Sequence, residues 1–228
     1  MDRKYIIGGL LFVGLIAFAY FSAPQDQVVS DLDLSSLYSP RGDTTTATSA
    51  PSMINSETMQ KPELTIDDSK TYTATLTTSE GDIVIELDAK RTPITANNFV
   101  YLAREGFYNG TIFHRVMKGF MIQGGDPNGN GTGGPGYRFE DEEAGLRPEY
   151  TRGTVAMANA GENTNGSQFF IMHDDFDLSP AYVIFGKVVE GMDVVDAIAE
   201  SEVSISPSGE MSKPVTPVQV ETVTISEE

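Results

Sequence analysis

The chain has 228 residues, 33 acidic and 15 basic, for a formal charge of -18. Most of such a surface repels a phosphate backbone or an anionic bilayer, which argues against nucleic acid as a partner. There is no cysteine, which excludes disulfides, a thiol nucleophile, thiolate metal sites and a lipid anchor on an N-terminal Cys. With 39% hydrophobic residues the length suits one folded domain plus extra segments, and residues 71–228 carry 24 of the acids and 10 of the bases.

Residues 1–23 form the first segment. After Arg3-Lys4, the run from Tyr5 to Phe21 is uncharged, and no charge appears before Asp26. At about 1.5 Å per helical residue, Tyr5 to Ala23 covers close to the roughly 30 Å of a bilayer interior. The basic pair stays on the cytoplasmic side, so the rest of the chain is expected outside the cytoplasm. This reads as an N-terminal transmembrane anchor; Ala17-Phe18-Ala19 also fits a signal-peptidase site, giving a secreted or periplasmic product cut near Ala19. Residues 24–69, rich in Ser, Thr, Pro and Asp, read as a flexible linker.

The folded domain is expected over residues 70–228. Tyr72, Ala74 and Leu76 alternate with threonines and, after a turn at Ser79-Glu80-Gly81-Asp82, Ile83, Ile85 and Leu87 continue the alternation, which predicts a β-hairpin. Thr92 as N-cap, Pro93 at the first helical position and Gly106 as stop bracket a helix with Ala96, Phe99, Val100 and Ala103 on one face. Further strands are predicted at 111–116, 120–124, 154–158, 168–172 and 183–188, with a second helix at 192–199. Val218 and Val220, then Val223 and Ile225, form a closing strand whose phase slips at Glu221-Thr222, predicting a bulge. Short strands with two helices point to a mainly β fold of barrel type.

Two stretches are more specific. The first is Phe113-His114-Arg115-Val116-Met117-Lys118-Gly119-Phe120-Met121-Ile122-Gln123-Gly124-Gly125-Asp126-Pro127. The second is Met157-Ala158-Asn159-Ala160-Gly161, running on to Gly166-Ser167-Gln168-Phe169-Phe170-Ile171. From about Thr71 onward the chain resembles the cyclophilins, the peptidyl-prolyl cis/trans isomerases. The resemblance implies a closed eight-stranded antiparallel β-barrel capped by two α-helices, with a groove on its outer wall.

The reaction the resemblance implies is rotation about the bond before proline, against an amide-resonance barrier of roughly 18 to 20 kcal/mol. No bond breaks, so neither nucleophile, metal nor other cofactor is called for; the catalyst must favour the twisted amide. By motif position Arg115 is the catalytic cation and Gln123 its partner. Phe120, Met121, Phe170 and Leu178 form the proline slot, with Tyr182 at its edge. Asn159 and Gln168 bind substrate backbone, and Ala158 and Ala160 keep the adjacent wall low. Phe169 and Phe170, adjacent in a strand, must face opposite sides. The partners implied are proline-containing polypeptides. Gly131-Thr132-Gly133-Gly134 lacks the Lys-Ser/Thr ending of a phosphate loop and reads as a tight turn at the groove edge. His114 and His173 lack ligand spacing, and His114, next to Arg115 in a strand, is expected to point away from the groove.

The chain departs from the pattern at two functional positions, Asp177 and Tyr182, the latter standing where cyclosporin-binding members carry a His. Cyclosporin-binding members carry a Trp before the Leu that matches Leu178; here the residue is Asp177, and there is no Trp in the chain, so tight cyclosporin binding is not expected. A proline-peptide binding module or holdase chaperone, with incidental catalysis, is the rival reading; intact Arg115 and Gln123 favour the enzyme.

Overall fold

The computed structural model describes residues 59–228. The expected anchor at 1–23 and the tether as far as residue 58 lie outside these residues. Among the described residues no helix is long and apolar enough to cross a membrane.

Ten strands and two α-helices are present among the described residues. In chain order they are β1 (Tyr72–Thr78), β2 (Gly81–Leu87), α1 (Pro93–Arg104), β3 (Arg115–Met117), β4 (Met121–Gly124), β5 (Thr154–Met157), β6 (Phe169–Met172), β7 (Ile184–Glu190), α2 (Met192–Ala199), β8 (Val203–Ile205), β9 (Met211–Pro214) and β10 (Val220–Glu227). Eight of the strands make one sheet in the order β10-β1-β2-β7-β5-β6-β4-β3, and β8 pairs only with β9. All pairs in the large sheet are antiparallel. The predicted bulge is present: Thr77 pairs with Thr222 and Thr78 with Val220, leaving Glu221 as the extra residue.

The sheet curls but does not close, which corrects the closed barrel expected from the sequence. It is a half-barrel with β10 and β3 as its edges. The predicted strand at 111–116 divides between two neighbours. Its first half approaches β10 through an isolated bridge, Ile112 to Gln219, and Phe113 N–H donates to Val218 O at 3.1 Å. Its second half leaves that edge and pairs with β4, Arg115 opposite Gln123. One chain segment cannot sustain a full ladder on both sides while it crosses from one to the other.

Inside the curl lies the main apolar cluster. It includes Leu76, Ile83, Ile85, Ile122, Val155, Met157, Phe169, Ile171 and Phe185, all fully or almost fully buried. The predicted face of α1 enters it, with Phe99 stacked on Tyr108 (4.9 Å between ring centres) and edge-on to Phe169 (5.5 Å). From α2 come Val195, Ile198 and Ala199.

The start of α1 is held differently from the expectation. Thr92 occupies the N-cap position, but its hydroxyl donates to Asp88 O at 3.1 Å and caps nothing. Glu142, distant in sequence, accepts from Ile94 N–H (2.9 Å), Thr95 N–H (2.7 Å) and the Thr95 hydroxyl (2.5 Å). A carboxylate there satisfies orphan donors and lies at the positive end of the helix dipole. Glu142→Ala is expected to lower stability by about 1–2 kcal/mol, read as a fall in urea midpoint with an unchanged slope.

Residues 59–69, expected as the end of the tether, lie against the domain. Asn97 on α1 accepts from Thr65 N–H (2.9 Å) and Ile66 N–H (3.3 Å), and its amide donates to Glu63 O (2.9 Å). Met59 and Ile66 pack on the main cluster. The packed unit therefore begins before residue 70, because a buried amide and two apolar side chains give this strap something to hold.

Candidate active site

The groove is built by the outward side of the strands whose inward side fills the core. Alternation places Arg115 and Met117 of β3, Met121 and Gln123 of β4, Ala156 of β5, Phe170 and Met172 of β6 and Ile184 of β7 on the outer wall. A second apolar cluster forms there, separate from the first: Met121, Tyr150, Ala156, Phe170, Met172 and Ile184, with Met117, Phe120, Ala158, Leu178 and Tyr182 packed against it. All six apolar or aromatic slot and wall residues expected from the sequence, apart from exposed Ala160, thus meet in one place. Phe169 and Phe170 do face opposite ways, one in each cluster.

Phe170 forms the floor, with Tyr182 edge-on at 5.5 Å and Tyr150 at 6.4 Å. Tyr150 was not expected in the site. Its hydroxyl donates to Tyr182 O (2.9 Å) and accepts from Tyr182 N–H (3.1 Å), so it fixes the segment that carries Tyr182. Phe176 was also missed: its ring packs 4.5 Å from that of Phe120 and makes an aromatic rim, while its neighbour Asp177 is exposed.

Above this floor runs a polar chain. Arg115 Nη1 donates to Gln123 Oε1 (3.4 Å) and lies 4.0 Å from Met121 Sδ, and the guanidinium carbon is 5.9 Å from the centre of the Phe120 ring. Gln123 Nε2 donates to Gln168 Oε1 (3.0 Å), and Gln168 Nε2 donates to Gly133 O (2.9 Å) and Gly131 O (3.1 Å). The other edge of Arg115 is taken by Glu210, from the turn between β8 and β9: Nε donates at 2.7 Å and Nη2 at 2.9 Å. Glu210 carried no sequence signal, being 95 residues away in a Ser-rich turn. Hydrogen bonding from Arg115, opposed by partial burial, holds its carboxyl below the ordinary carboxylate range.

Beside the chain opens a cleft of about 760 Å³, lined among others by Gln123, Gly131, Ala158, Asn159, Ala160 and Gln168. Asn159 is tied down by Nδ2 donating to Ala181 O (2.8 Å), while Oδ1 accepts from Gly161 N–H (3.2 Å). The Gly-rich loop is not a phosphate cradle. Its amides turn inward on buried Asp126, whose carboxylate accepts from Asn128, Asn130 and Gly131 at 2.8, 3.0 and 2.5 Å. A Cβ on Gly133 would collide with Asp126 Oδ1, so only glycine fits.

Both histidines are structural. His173 Nδ1 accepts from Gly119 N–H (3.0 Å), which fixes the turn that presents Phe120. His114 points away from Arg115, toward the Gly131 loop, with both ring nitrogens buried and unpartnered. Burial, opposed by the Asp126 carboxylate, lowers its pKa from 6.5. The unfolded chain then binds a proton near pH 6.5 that the folded chain declines until lower pH. Stability from this group is complete above 6.5 and is lost as pH falls through that window. In denaturant titrations at pH 7.5 and 5, His114→Leu is expected to flatten the stability difference.

Known proteins resemble this chain in both sequence and fold. Residues 73–225 match the model for cyclophilin type peptidyl-prolyl cis-trans isomerases. A Helicobacter pylori peptidyl-prolyl cis-trans isomerase is 47% identical over 137 residues, covering 59% of this chain and 84% of that protein. The human peptidyl-prolyl cis-trans isomerase-like 3 is 44% identical over 155 residues, 66% of this chain and 94% of its own. The crystal structure of a Cryptosporidium parvum cyclophilin type isomerase superposes with a TM-score of 0.62 at 36% identity, covering 68% and 98%; another was determined in the presence of the dipeptide Ala-Pro. The chain belongs to the cyclophilin-type peptidyl-prolyl cis-trans isomerase family, and is an enzyme of that type.

Proposed function

We propose that this isomerase accelerates X-Pro rotation in exported proteins as they fold, outside the cytoplasm and beside a membrane. One observation carries the chemistry: a fixed guanidinium edge, Nη1 of Arg115, stands with Gln123 over an apolar floor of Phe120, Met121 and Phe170. A prolyl ring seated on that floor brings its nitrogen to Nη1. As the amide twists, that nitrogen regains its lone pair, and a donor aimed at it stabilises the twisted state more than the planar one. Gln123 and Gln168 steady the donor, while Asn159, Ala158 and Ala160 line the cleft that takes residues before the proline. With exposed Asp177 at the Trp position, cyclosporin has no indole to rest on and binds weakly.

The location rests on the uncharged run behind Arg3-Lys4 and on the tether that follows. Uncatalysed X-Pro bonds isomerise over tens of seconds or longer, slow enough to limit folding after export.

The chemistry is tested by exchange NMR on an Ala-Pro reporter peptide with the 228-residue chain. Acceleration of cis/trans exchange is expected; binding without acceleration makes the groove a recognition module instead. Location is tested by adding protease to intact cells or spheroplasts, where digestion of the tether is expected and full protection, with a permeabilised control digested, removes the extracytoplasmic assignment.

A further inference from the structure

Arg115 has three guanidinium nitrogens, and one residue outside the motif engages two of them. The Nε and Nη2 bonds to Glu210 Oε2 and Oε1 run in parallel, a fork-to-fork pair that fixes both the direction and the plane of the group. Both side chains are about one-third exposed (34% and 32%), so the pair is neither a dispersed surface contact nor a sealed one. Most exposed ion pairs restrain little; a bidentate arginine is the exception.

Glu210 is itself held. Ser206 N–H donates to Glu210 O at 2.7 Å, Glu210 N–H donates to Ser206 Oγ at 3.3 Å, and Gly209, at φ +87°, closes the turn with N–H to Ser206 O at 2.9 Å. The β8–β9 hairpin that bears this turn packs beside β3. Since β3 is a three-residue edge strand, this hairpin supplies the support that a neighbouring strand would otherwise give.

With Nε and Nη2 held by Glu210, and Nη2 also 3.3 Å from Met117 Sδ, Nη1 is the nitrogen left without an ionic partner. It is the one that meets Gln123 and Met121. An arginine without the second anchor has several rotatable bonds and can turn its charge to solvent. Placement matters more than charge here, because a displacement of the order of 1 Å can cost about a hundredfold in rate.

We propose that Glu210 is a positioning residue for the isomerase step, clamping Arg115 from the β8–β9 hairpin so that Nη1 faces the groove. The inference rests on the reading of Arg115 as the catalytic cation.

The test uses the 228-residue chain and the Ala-Pro reporter. Glu210→Ala is expected to lower kcat about tenfold with KM within about twofold, since the prolyl floor is untouched. Glu210→Gln keeps one acceptor oxygen and falls between. In an Arg115→Ala background, Glu210→Ala should change nothing further, because a clamp has no effect without its arginine. Equal loss in both backgrounds means general damage to the wall and overturns the proposal. Activity equal to wild type, or higher, in Glu210→Ala also overturns it, the latter because the carboxylate would then be holding Arg115 away from substrate. An inactive wild type is a different failure, that of the isomerase reading. The clamp is read independently of turnover by the Arg115 Nε–H resonance, which should exchange slowly with solvent in wild type and be lost to exchange in Glu210→Ala.

Discussion

Arg115→Ala is expected to lower kcat/KM for the Ala-Pro reporter by about a hundredfold or more, the size typical of removing one preorganised donor to a transition state. The fold should survive, because Arg115 is on a sheet edge and one-third exposed, and the side chains beneath it belong to other residues. Exchange NMR at several peptide concentrations separates the two parameters: kcat should carry most of the loss and KM little. Arg115→Lys is a stringent companion. Lysine keeps the charge but has no planar fork, so it cannot bond Glu210 twice while pointing a third donor at the groove. It should recover little of the lost rate, whereas a role for charge alone would return most of it.

The second large effect separates two neighbours in sequence. Phe169 is 1% exposed and meets Phe99, Tyr108 and Phe113 edge-on at 5.5, 5.8 and 6.4 Å. Phe169→Ala should cost about 3–5 kcal/mol of stability, the range for removing a buried phenyl ring and leaving its cavity. Whatever fraction remains folded should keep a near-normal kcat. Phe170→Ala should do the reverse. It removes the groove floor under Tyr182 and Tyr150, and losing a contact surface worth about 1.5–3 kcal/mol when fully used should raise KM about tenfold or more. Its cost in stability should be the smaller of the two, because it opens toward the groove. Thermal melts and peptide titrations on the pair give both numbers. If the two variants lose stability and binding in parallel, the two faces of β6 are not independent.

Local patterning carried much of this architecture. The alternation from Tyr72 to Leu87, the bulge at Glu221 and the span of α2 are all written in period and phase, because one face of each element is buried and the other is not. The sequence could not show where a segment changes partners. Thr111 to Val116 alternates like one strand, yet its halves serve two neighbours and leave the wall open. Capping was similar: Thr92 has the right chemistry in the right place, but Glu142 outcompetes it from across the fold. Within the site, the family motif singled out Arg115, Gln123 and the slot residues, which the fold gathers on one wall. It did not single out Tyr150, Phe176 and Glu210, because each acts through a contact made only in three dimensions. The β8–β9 hairpin itself is Ser- and Pro-rich, and its apolar side chains Ile205 and Met211 are exposed, so it offers little apolar rhythm to read.

The two apolar clusters share no residue, although they are opposite faces of the same strands. A protein built this way has separated what it must keep from what it is at liberty to vary. Substitutions on the outer face are expected to act chiefly on which peptides are accepted, and those on the inner face on whether the chain folds. A change at the groove rim, where Asp177 is exposed, would on that footing leave the scaffold intact, and a new peptide preference would not require a new fold to support it.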